Sequence, residues 1–123
     1  MEANLIDGIV KTTRLPALMS WKMDNADALK FFEEALKLDS NFADAYGYAA
    51  YVHQALYWYG YDRNIKPLKI AKEYIEKGLE LDSDSPVLHA TRGYYYYWVN
   101  RDYTRALEDF IYARDAVPNN AEY

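Results

Sequence analysis

The chain contains no cysteine, which excludes disulfide bonds, thiolate nucleophiles and sulfur-ligated zinc sites. It has no apolar run that approaches the roughly 18 residues needed to span a membrane. The start of the chain, Met1 to Lys11, lacks the basic and apolar segments of a secretory signal. The chain also lacks positive charge: its formal net charge of −5 disfavours nucleic acid, which requires a basic surface. We expect no direct membrane insertion and a cytoplasmic location, or an extracytoplasmic one in a membrane-tethered parent.

Catalytic constellations are also missing from the sequence. The two histidines, His53 and His89, fall on the packed faces of different predicted helices, which favours structural roles over a catalytic or metal-binding one. The five glycines are scattered, so no phosphate-binding loop is formed. Asp39, Asp82 and Asp84 lie in predicted turns, where aspartate caps the backbone. We expect no enzyme, no cofactor and no metal site.

What the chain does have is enough apolar and charged sequence to fold. Hydrophobic residues make up 51% and charged residues 27% of the 123 positions, a balance typical of a globular chain rather than a disordered one. The aromatic content is high, with 14 tyrosines and 3 tryptophans. We expect one domain over residues 1–123, and a fragment of a longer array.

A pattern of small and bulky residues occurs three times. Each copy has a small residue, a bulky apolar residue four positions later, and a second small residue three further on. The copies are Ala28/Phe32/Ala35, Ala71/Ile75/Gly78 and Ala106/Phe110/Ala113, spaced by 43 and 35 residues. Steps of three and four place these residues on one face of a helix. The pattern therefore predicts three equivalent helices.

A partner helix precedes two of these helices. Phe42 to Tyr59 and Pro86 to Val99 are candidate first helices, with Ser85 as the N-cap before Pro86. Asn100-Arg101-Asp102 reads as a turn that ends in the next N-cap. The sequence predicts an all-α fold of six helices in three antiparallel pairs. The units are approximately 1–41, 42–84 and 85–120.

The third unit resembles a tetratricopeptide repeat. The resemblance rests on Arg92-Gly93-Tyr94-Tyr95-Tyr96, on Asp102-Tyr103-Thr104-Arg105-Ala106-Leu107, and on Phe110, Ala113 and Pro118-Asn119-Asn120. Its internal turn has about one residue more than that family's 34-residue period allows and lacks the usual glycine. The second unit keeps the small positions but holds roughly nine extra residues, and the first unit matches only in its second helix. The resemblance implies a right-handed α-α superhelix of about three helical hairpins.

A narrower resemblance involves the aromatic segments. Four segments are similar to tetratricopeptide regions of bacterial signalling proteins. They are Tyr57-Trp58-Tyr59-Gly60-Tyr61-Asp62, and then Leu-Asp-Ser, Gly-Tyr-Tyr-Tyr-Tyr-Trp and Arg-Asp-Tyr. In those proteins such arrays follow adenylate cyclase, serine/threonine kinase or transcription-regulator domains. The resemblance implies a sensory or interaction segment.

The aromatic residues are the candidate binding residues. Tyr96 is expected to pack inside its hairpin and Tyr95 against the preceding unit. The resemblance implies that the other flank of the first helices lines a groove for a peptide or partner helix. The groove residues would be Tyr48, Tyr51, Gln54, Tyr94, Tyr97 and Trp98, with possible insertion contacts from Tyr57, Trp58 and Tyr61. Packing is the alternative for each of these side chains.

Three functional hypotheses follow. The first is a non-catalytic scaffold that binds a protein or peptide. The second is a homo-oligomerising repeat domain that associates through an uncapped C-terminal end. The third is a small-molecule-binding sensory domain with a pocket around Trp58 and Trp98. If the groove hypothesis is right, Trp98→Ala with Tyr94→Ala removes binding and leaves helicity intact, whereas a loss of helicity assigns these residues to the core.

Overall fold

The structure is a computed structural model, and it describes residues 25–58 and 66–116. Every regular element within these ranges is helical, which confirms the all-α class for this part of the chain. The elements are α1 (Asn25–Leu38), α2 (Ala43–Trp58), α3 (Lys66–Leu81), α4 (Pro86–Tyr95), a π-helical segment (Tyr96–Asn100) and α5 (Tyr103–Ala116). The first helix expected for unit 1–41 lies outside the described residues.

The three helices predicted to be equivalent are α1, α3 and α5, and each buries its leading small residue. Ala28, Ala71 and Ala106 are all at most 2% exposed. The bulky residue one turn later is buried in α3 and α5 and half-buried in α1. Small residues allow a neighbouring helix to approach closely, and the bulky residue fills the space beside them. The repeated sequence pattern therefore corresponds to a repeated packing pattern.

Two turns that precede first helices, 39–42 and 82–85, have the same hydrogen bonds. In each, an aspartate carboxylate accepts from the backbone N–H two residues later at 3.0 Å: Asp39 from Asn41, and Asp82 from Asp84. In each, the aspartate carbonyl also accepts from the N–H three residues later, at 3.2 and 3.3 Å. These local bonds satisfy backbone groups that the preceding helix leaves unpaired. They confirm the turn role predicted for both aspartates.

The predicted helix starts are present. Ser85 Oγ accepts from the Leu88 N–H at 3.2 Å, and Pro86 occupies the first turn of α4. Asp102 Oδ1 accepts from the Arg105 N–H at 3.2 Å and so caps α5. Side-chain caps of this kind satisfy the unpaired N–H groups of the first helical turn.

Helices α4 and α5 run antiparallel. The Tyr97 ring, just beyond α4, lies 5.4 Å from that of Tyr103 at the start of α5. The His89 ring, near the start of α4, lies 4.0 Å from that of Tyr112 near the end of α5. Residues that come later in α4 and its extension contact residues that come earlier in α5. The two helices therefore run in opposite directions and form a hairpin.

Helices α2 and α4, the two first helices, run parallel. Thr91 Oγ1 donates to the Gly47 carbonyl at 3.1 Å. Further along both chains, the rings of Trp58 and Trp98 lie 6.4 Å apart. Both contacts join residues about one unit apart in sequence, so equivalent helices of successive units lie side by side.

Leu88 sits at the meeting point of α2, α3 and α4 and is 0% exposed. A Cβ on Gly78 would lie 2.5 Å from Leu88 Cδ2, and one on Gly47 would lie 3.3 Å from the same atom and 2.9 Å from Val87 Cγ1. Only glycine leaves room for this side chain. The two glycines thus set the distance at which the three helices pack.

The turn between α4 and α5 contains a local irregularity. The N–H groups of Arg101 and Asp102 both donate to the Tyr96 carbonyl, the latter at 2.9 Å. Arg101 has a φ of 56°, in the left-handed region where glycine is favoured. A π turn holds one more residue than an α turn. The π segment therefore adds one residue to this turn, and Arg101 ends it in a backbone conformation that favours glycine.

We expect Gly93→Ala to destabilise the α4–α5 hairpin. A Cβ on Gly93 would lie 2.8 Å from Cε1 of Phe110, whose ring is 0% exposed and cannot yield. Overpacking should outweigh the gain of about 1 kcal/mol in helix propensity, for a net loss of about 1–2 kcal/mol in urea unfolding. In a Phe110→Leu background the same change should cost less. An equal loss of stability in the wild-type and Phe110→Leu backgrounds would contradict the predicted clash between a side chain at position 93 and Phe110.

We expect Arg101→Gly to raise the free energy of unfolding by about 0.5–1 kcal/mol, because glycine adopts positive φ without steric cost. Arg101 is exposed, so little packing is lost with its side chain. The control is Arg101→Ala, which removes the side chain and keeps the strain. If the Arg101→Gly variant is no more stable than the Arg101→Ala variant in thermal and urea unfolding, the backbone at Arg101 is not strained.

Candidate functional site: an aromatic cluster on α2 and α4

Four aromatic rings from the two first helices lie together and form what we name the aromatic cluster: Tyr51, Trp58, Tyr94 and Trp98. The rings of Tyr94 and Trp98 are 4.8 Å apart, and those of Tyr51 and Tyr94 are 5.0 Å apart. Trp98 also lies 6.2 Å from Tyr51 and 6.4 Å from Trp58. These separations are typical of favourable offset and edge-to-face ring pairs. The parallel packing of α2 and α4 brings the four rings together.

Burial divides the aromatic cluster into two halves. Tyr51 and Tyr94 are 7% and 4% exposed and belong to the hydrophobic core. Trp58 lies about two turns after Tyr51 and Trp98 about one turn after Tyr94, and both tryptophans are half-buried. The cluster therefore has a buried base and a partly accessible edge at the C-terminal ends of α2 and α4.

Two other predicted contacts, Tyr57 and Tyr97, flank the accessible edge. Tyr57 packs edge-on against Trp58, with ring centroids 5.6 Å apart, and Tyr97 packs against Tyr103. Both are half-buried. We name Tyr57, Trp58, Tyr97 and Trp98 the aromatic rim. Tyr61, the remaining residue predicted from the insertion, lies outside the described residues.

Tyr48 lies apart from the rim, on the side of α2 that faces α1. Its ring stacks on Phe32, with centroids 5.0 Å apart and planes inclined by 18°. Burial raises the pKa of the Tyr48 hydroxyl, and the nearby carboxylate of Asp44 adds to that rise. Tyr48 therefore belongs to the α1–α2 contact rather than to the junction of α2 and α4.

Polar atoms beneath the rim lack hydrogen-bond partners among the described residues. Gln54 is 0% exposed, and its Nε2 donates to the Thr91 carbonyl at 3.4 Å. Its Oε1 and the Trp58 Nε1 are buried and have no partner. Gln54 and Trp58 are one helical turn apart, so they lie on the same face of α2. An unpaired acceptor and an unpaired donor thus lie below the accessible edge.

Of the six predicted groove residues, Tyr51, Gln54 and Tyr94 are buried, which agrees with the packing alternative for these three side chains. The predicted flank of α2 packs directly on α4, so side chains meant for a groove are instead enclosed between the two helices. Tyr97 and Trp98 remain partly accessible. The residues that a partner could reach are therefore those of the aromatic rim.

Tyr95 lies on the other flank of α4 and packs, as predicted, against buried residues of α2 and α3. Tyr96 is half-buried at the edge of the α4–α5 hairpin, with the guanidinium groups of Arg92 and Arg105 at 5.8 and 5.9 Å from its ring. A cleft of about 190 Å³ between α3 and α4 is lined by both tyrosines. This cleft lies away from the aromatic rim.

A second polar centre lies between α4 and α5 and was not predicted. The carboxylate of Asp109, 4% exposed, accepts from Arg92 Nε at 2.9 Å and Arg92 Nη2 at 2.8 Å. His89 Nδ1 lies 3.0 Å from the same carboxylate. A buried carboxylate requires such partners, because an unpaired one would cost several kcal/mol. The burial of Asp109 could have been inferred from the sequence, because Asp109 lies on the same face of α5 as Ala106 and Ala113.

His53 is 7% exposed and packs edge-on against Tyr74, with ring centroids 5.7 Å apart. Burial lowers the pKa of His53, and the carboxylate of Glu33 opposes this only in part. The prediction that both histidines lie on packed faces is confirmed.

Within residues 25–58 and 66–116, no group of three or more His, Asp or Glu side chains has a geometry that could hold a metal ion. Over the same ranges, no helix is both long and apolar enough to cross a bilayer. In comparisons with known proteins, no family model, no curated protein and no solved structure matches this chain.

We expect the two halves of the site to respond differently to truncation. Tyr94→Ala should lower the free energy of unfolding by about 3–5 kcal/mol, because it empties a buried site beside Tyr51 and Phe110. Tyr57→Ala, on the rim, should cost about 1 kcal/mol or less. Urea unfolding followed by circular dichroism measures the stability of both variants. Equal losses of stability would contradict the division of the site into a buried base and an accessible rim. The combined replacement of Tyr94 and Trp98 should therefore reduce helicity.

Proposed function

We propose that this chain is a non-catalytic scaffold of the tetratricopeptide type that binds a protein or peptide through its aromatic rim. The single observation that carries the proposal is the placement of Trp58 and Trp98. They come from successive first helices, lie 6.4 Å apart and are both partly accessible. The working surface therefore spans two units, as expected of a repeat scaffold.

Three structural features support the tetratricopeptide interpretation. The leading small residue of the signature, Ala28, Ala71 or Ala106, is buried in each of the three second helices. The turns 39–42 and 82–85 share one hydrogen-bond pattern. The first helices α2 and α4 lie parallel, while α4 and α5 form an antiparallel hairpin. In a right-handed α-α superhelix of hairpins, each of these relations recurs from unit to unit.

The chemistry of the rim favours a peptide-like partner. Tyrosine and tryptophan supply rigid apolar area with a polar edge, which is why they are enriched at binding hot spots. We propose an extended segment or helix whose aromatic or aliphatic side chains cover the rim.

The proposal includes a setting in a bacterial signalling protein, with this chain as its interaction or sensory segment in the cytoplasm. That setting rests on the resemblance of the aromatic segments alone.

Self-association is a second candidate, and one observation favours it. Helix α1 exposes Phe31 at 58% and Leu38 at 90%, and Phe42 after it is 46% exposed. Contiguous exposed apolar side chains often mark an interface. This surface differs from the C-terminal end first considered for self-association, where the last turn of α5 exposes Arg114 and Asp115. A small-molecule pocket at Trp58 and Trp98 is a third alternative.

A random peptide library displayed on phage tests the proposal directly. The purified chain should select peptides rich in aromatic and aliphatic residues. Trp98→Ala and Trp58→Ala should each weaken binding of a synthetic copy of a selected peptide by about tenfold or more, while helicity is kept. Phe31→Ser, on α1, is the matched control and should bind normally. Isothermal titration calorimetry gives the affinities.

Two results would overturn peptide binding at the rim. One is the absence of any enriched peptide, and the other is enrichment of peptides that bind both tryptophan variants as well as the parent chain. Analytical ultracentrifugation of the same proteins addresses self-association. A concentration-dependent dimer that Leu38→Glu abolishes, together with failed peptide selection, would favour the second candidate.

A further inference from the structure

His89 lies where the turn 82–85, α4 and α5 meet. Its Nδ1 is 3.0 Å from the Asp109 carboxylate on α5, and its Nε2 is 2.8 Å from the Ser83 carbonyl in the turn. Its ring also packs at 4.0 Å against that of Tyr112, whose hydroxyl donates to the Asp84 carbonyl at 3.0 Å. One side chain thus joins the end of one unit to both helices of the next.

The number of protons on this ring follows from its partners. A carboxylate and a backbone carbonyl are both acceptors with no hydrogen to give. A neutral imidazole carries one N–H and can satisfy only one of them, whereas the imidazolium carries two and satisfies both. The geometry at Asp109 and Ser83 therefore fits the protonated ring.

We propose that His89 is a proton-dependent clasp: as an imidazolium it fastens the turn 82–85 to α5, and loss of its proton as the pH rises loosens this junction. The proposal stands apart from peptide binding at the aromatic rim. It uses residues on α5 and in the turn that the rim does not contain.

The charged and titratable groups around His89 come from all three elements. Asp109 and Tyr112 face it from α5, Arg92 from its own helix, and Asp82 and Asp84 lie in the turn. The hydrogen bond with Asp109 raises the pKa of His89 most, and the bond to the Ser83 carbonyl adds to the rise. Burial of the ring and the charge of Arg92 act in the opposite direction but do not cancel it.

The direction of the pH effect follows from this rise. A group whose pKa is raised by folding binds its proton more tightly in the folded state, so its contribution is complete below its unfolded pKa of about 6.5. The contribution is lost as pH climbs from that value through the folded pKa. His53 acts with the opposite sign, because its lowered pKa weakens the folded state as pH falls below about 6.5. The two histidines therefore make the stability depend on pH in opposite directions.

Nuclear magnetic resonance of the full, unmodified chain provides the first test. Long-range ¹H–¹⁵N spectra of the imidazole rings, assigned with His53→Gln, report the protons on each nitrogen. We expect His89 to carry a proton on both ring nitrogens below its titration midpoint, and that midpoint to lie above the ordinary histidine value of about 6.5. A His89 midpoint at or below about 6.5 would overturn the clasp.

Urea unfolding at a series of pH values provides the second test. Between about pH 6.5 and the folded pKa of His89, the folding equilibrium constant should fall about tenfold for each pH unit. His89→Gln should abolish the loss of stability that accompanies a rise in pH. The matched control, His53→Gln, should reduce only the loss that accompanies a fall in pH. A His89→Gln chain that keeps the wild-type alkaline loss contradicts the proposal. If that variant does not fold, the ring titration decides alone.

Discussion

The close approach of three helices around Leu88 is the constraint on which the rest of the structure depends. Gly47 and Gly78 leave room for its methyl groups, and α2, α3 and α4 take their spacing from that contact. The parallel pairing of α2 with α4 follows, and with it the meeting of Tyr51 with Tyr94. A bulkier residue at Gly47 would push α2 away from α4 and separate Tyr51 from Tyr94, whereas one at Gly78 would push α3 away from α4.

The sequence predicted the features that depend on neighbours along the chain. Helix starts at Ser85 and Asp102, the aspartate turns, and the faces of α1, α3 and α5 all follow from local spacing. The burial of Tyr94 could not be predicted in this way, because helical periodicity places a side chain on a flank without showing what covers it. The centre at Asp109 escaped prediction for a related reason: its two partners, His89 and Arg92, lie on another helix, and only the hairpin brings them to the carboxylate.

The aromatic residues combine two roles along each first helix. The buried base of the cluster fixes the rings of the accessible edge through direct ring contacts, so Trp58 and Trp98 would lose little freedom in the binding that we propose. Rigidity of this kind reduces the entropic cost of association. The same packing keeps Gln54 Oε1 and Trp58 Nε1 away from solvent, which leaves their hydrogen-bonding capacity unused.

The π segment at Tyr96–Asn100 shows where this unit tolerates a change in chain length. An extra residue placed within α4 or α5 would rotate every later side chain by about 100° and expose half of the core face. Placed in the π turn, it is absorbed before Asp102 starts the next helix, and the register of Phe110 against Gly93 is kept. A change in chain length should therefore disturb this part of the molecule least in the hairpin turn, where α4 and α5 can keep their packing.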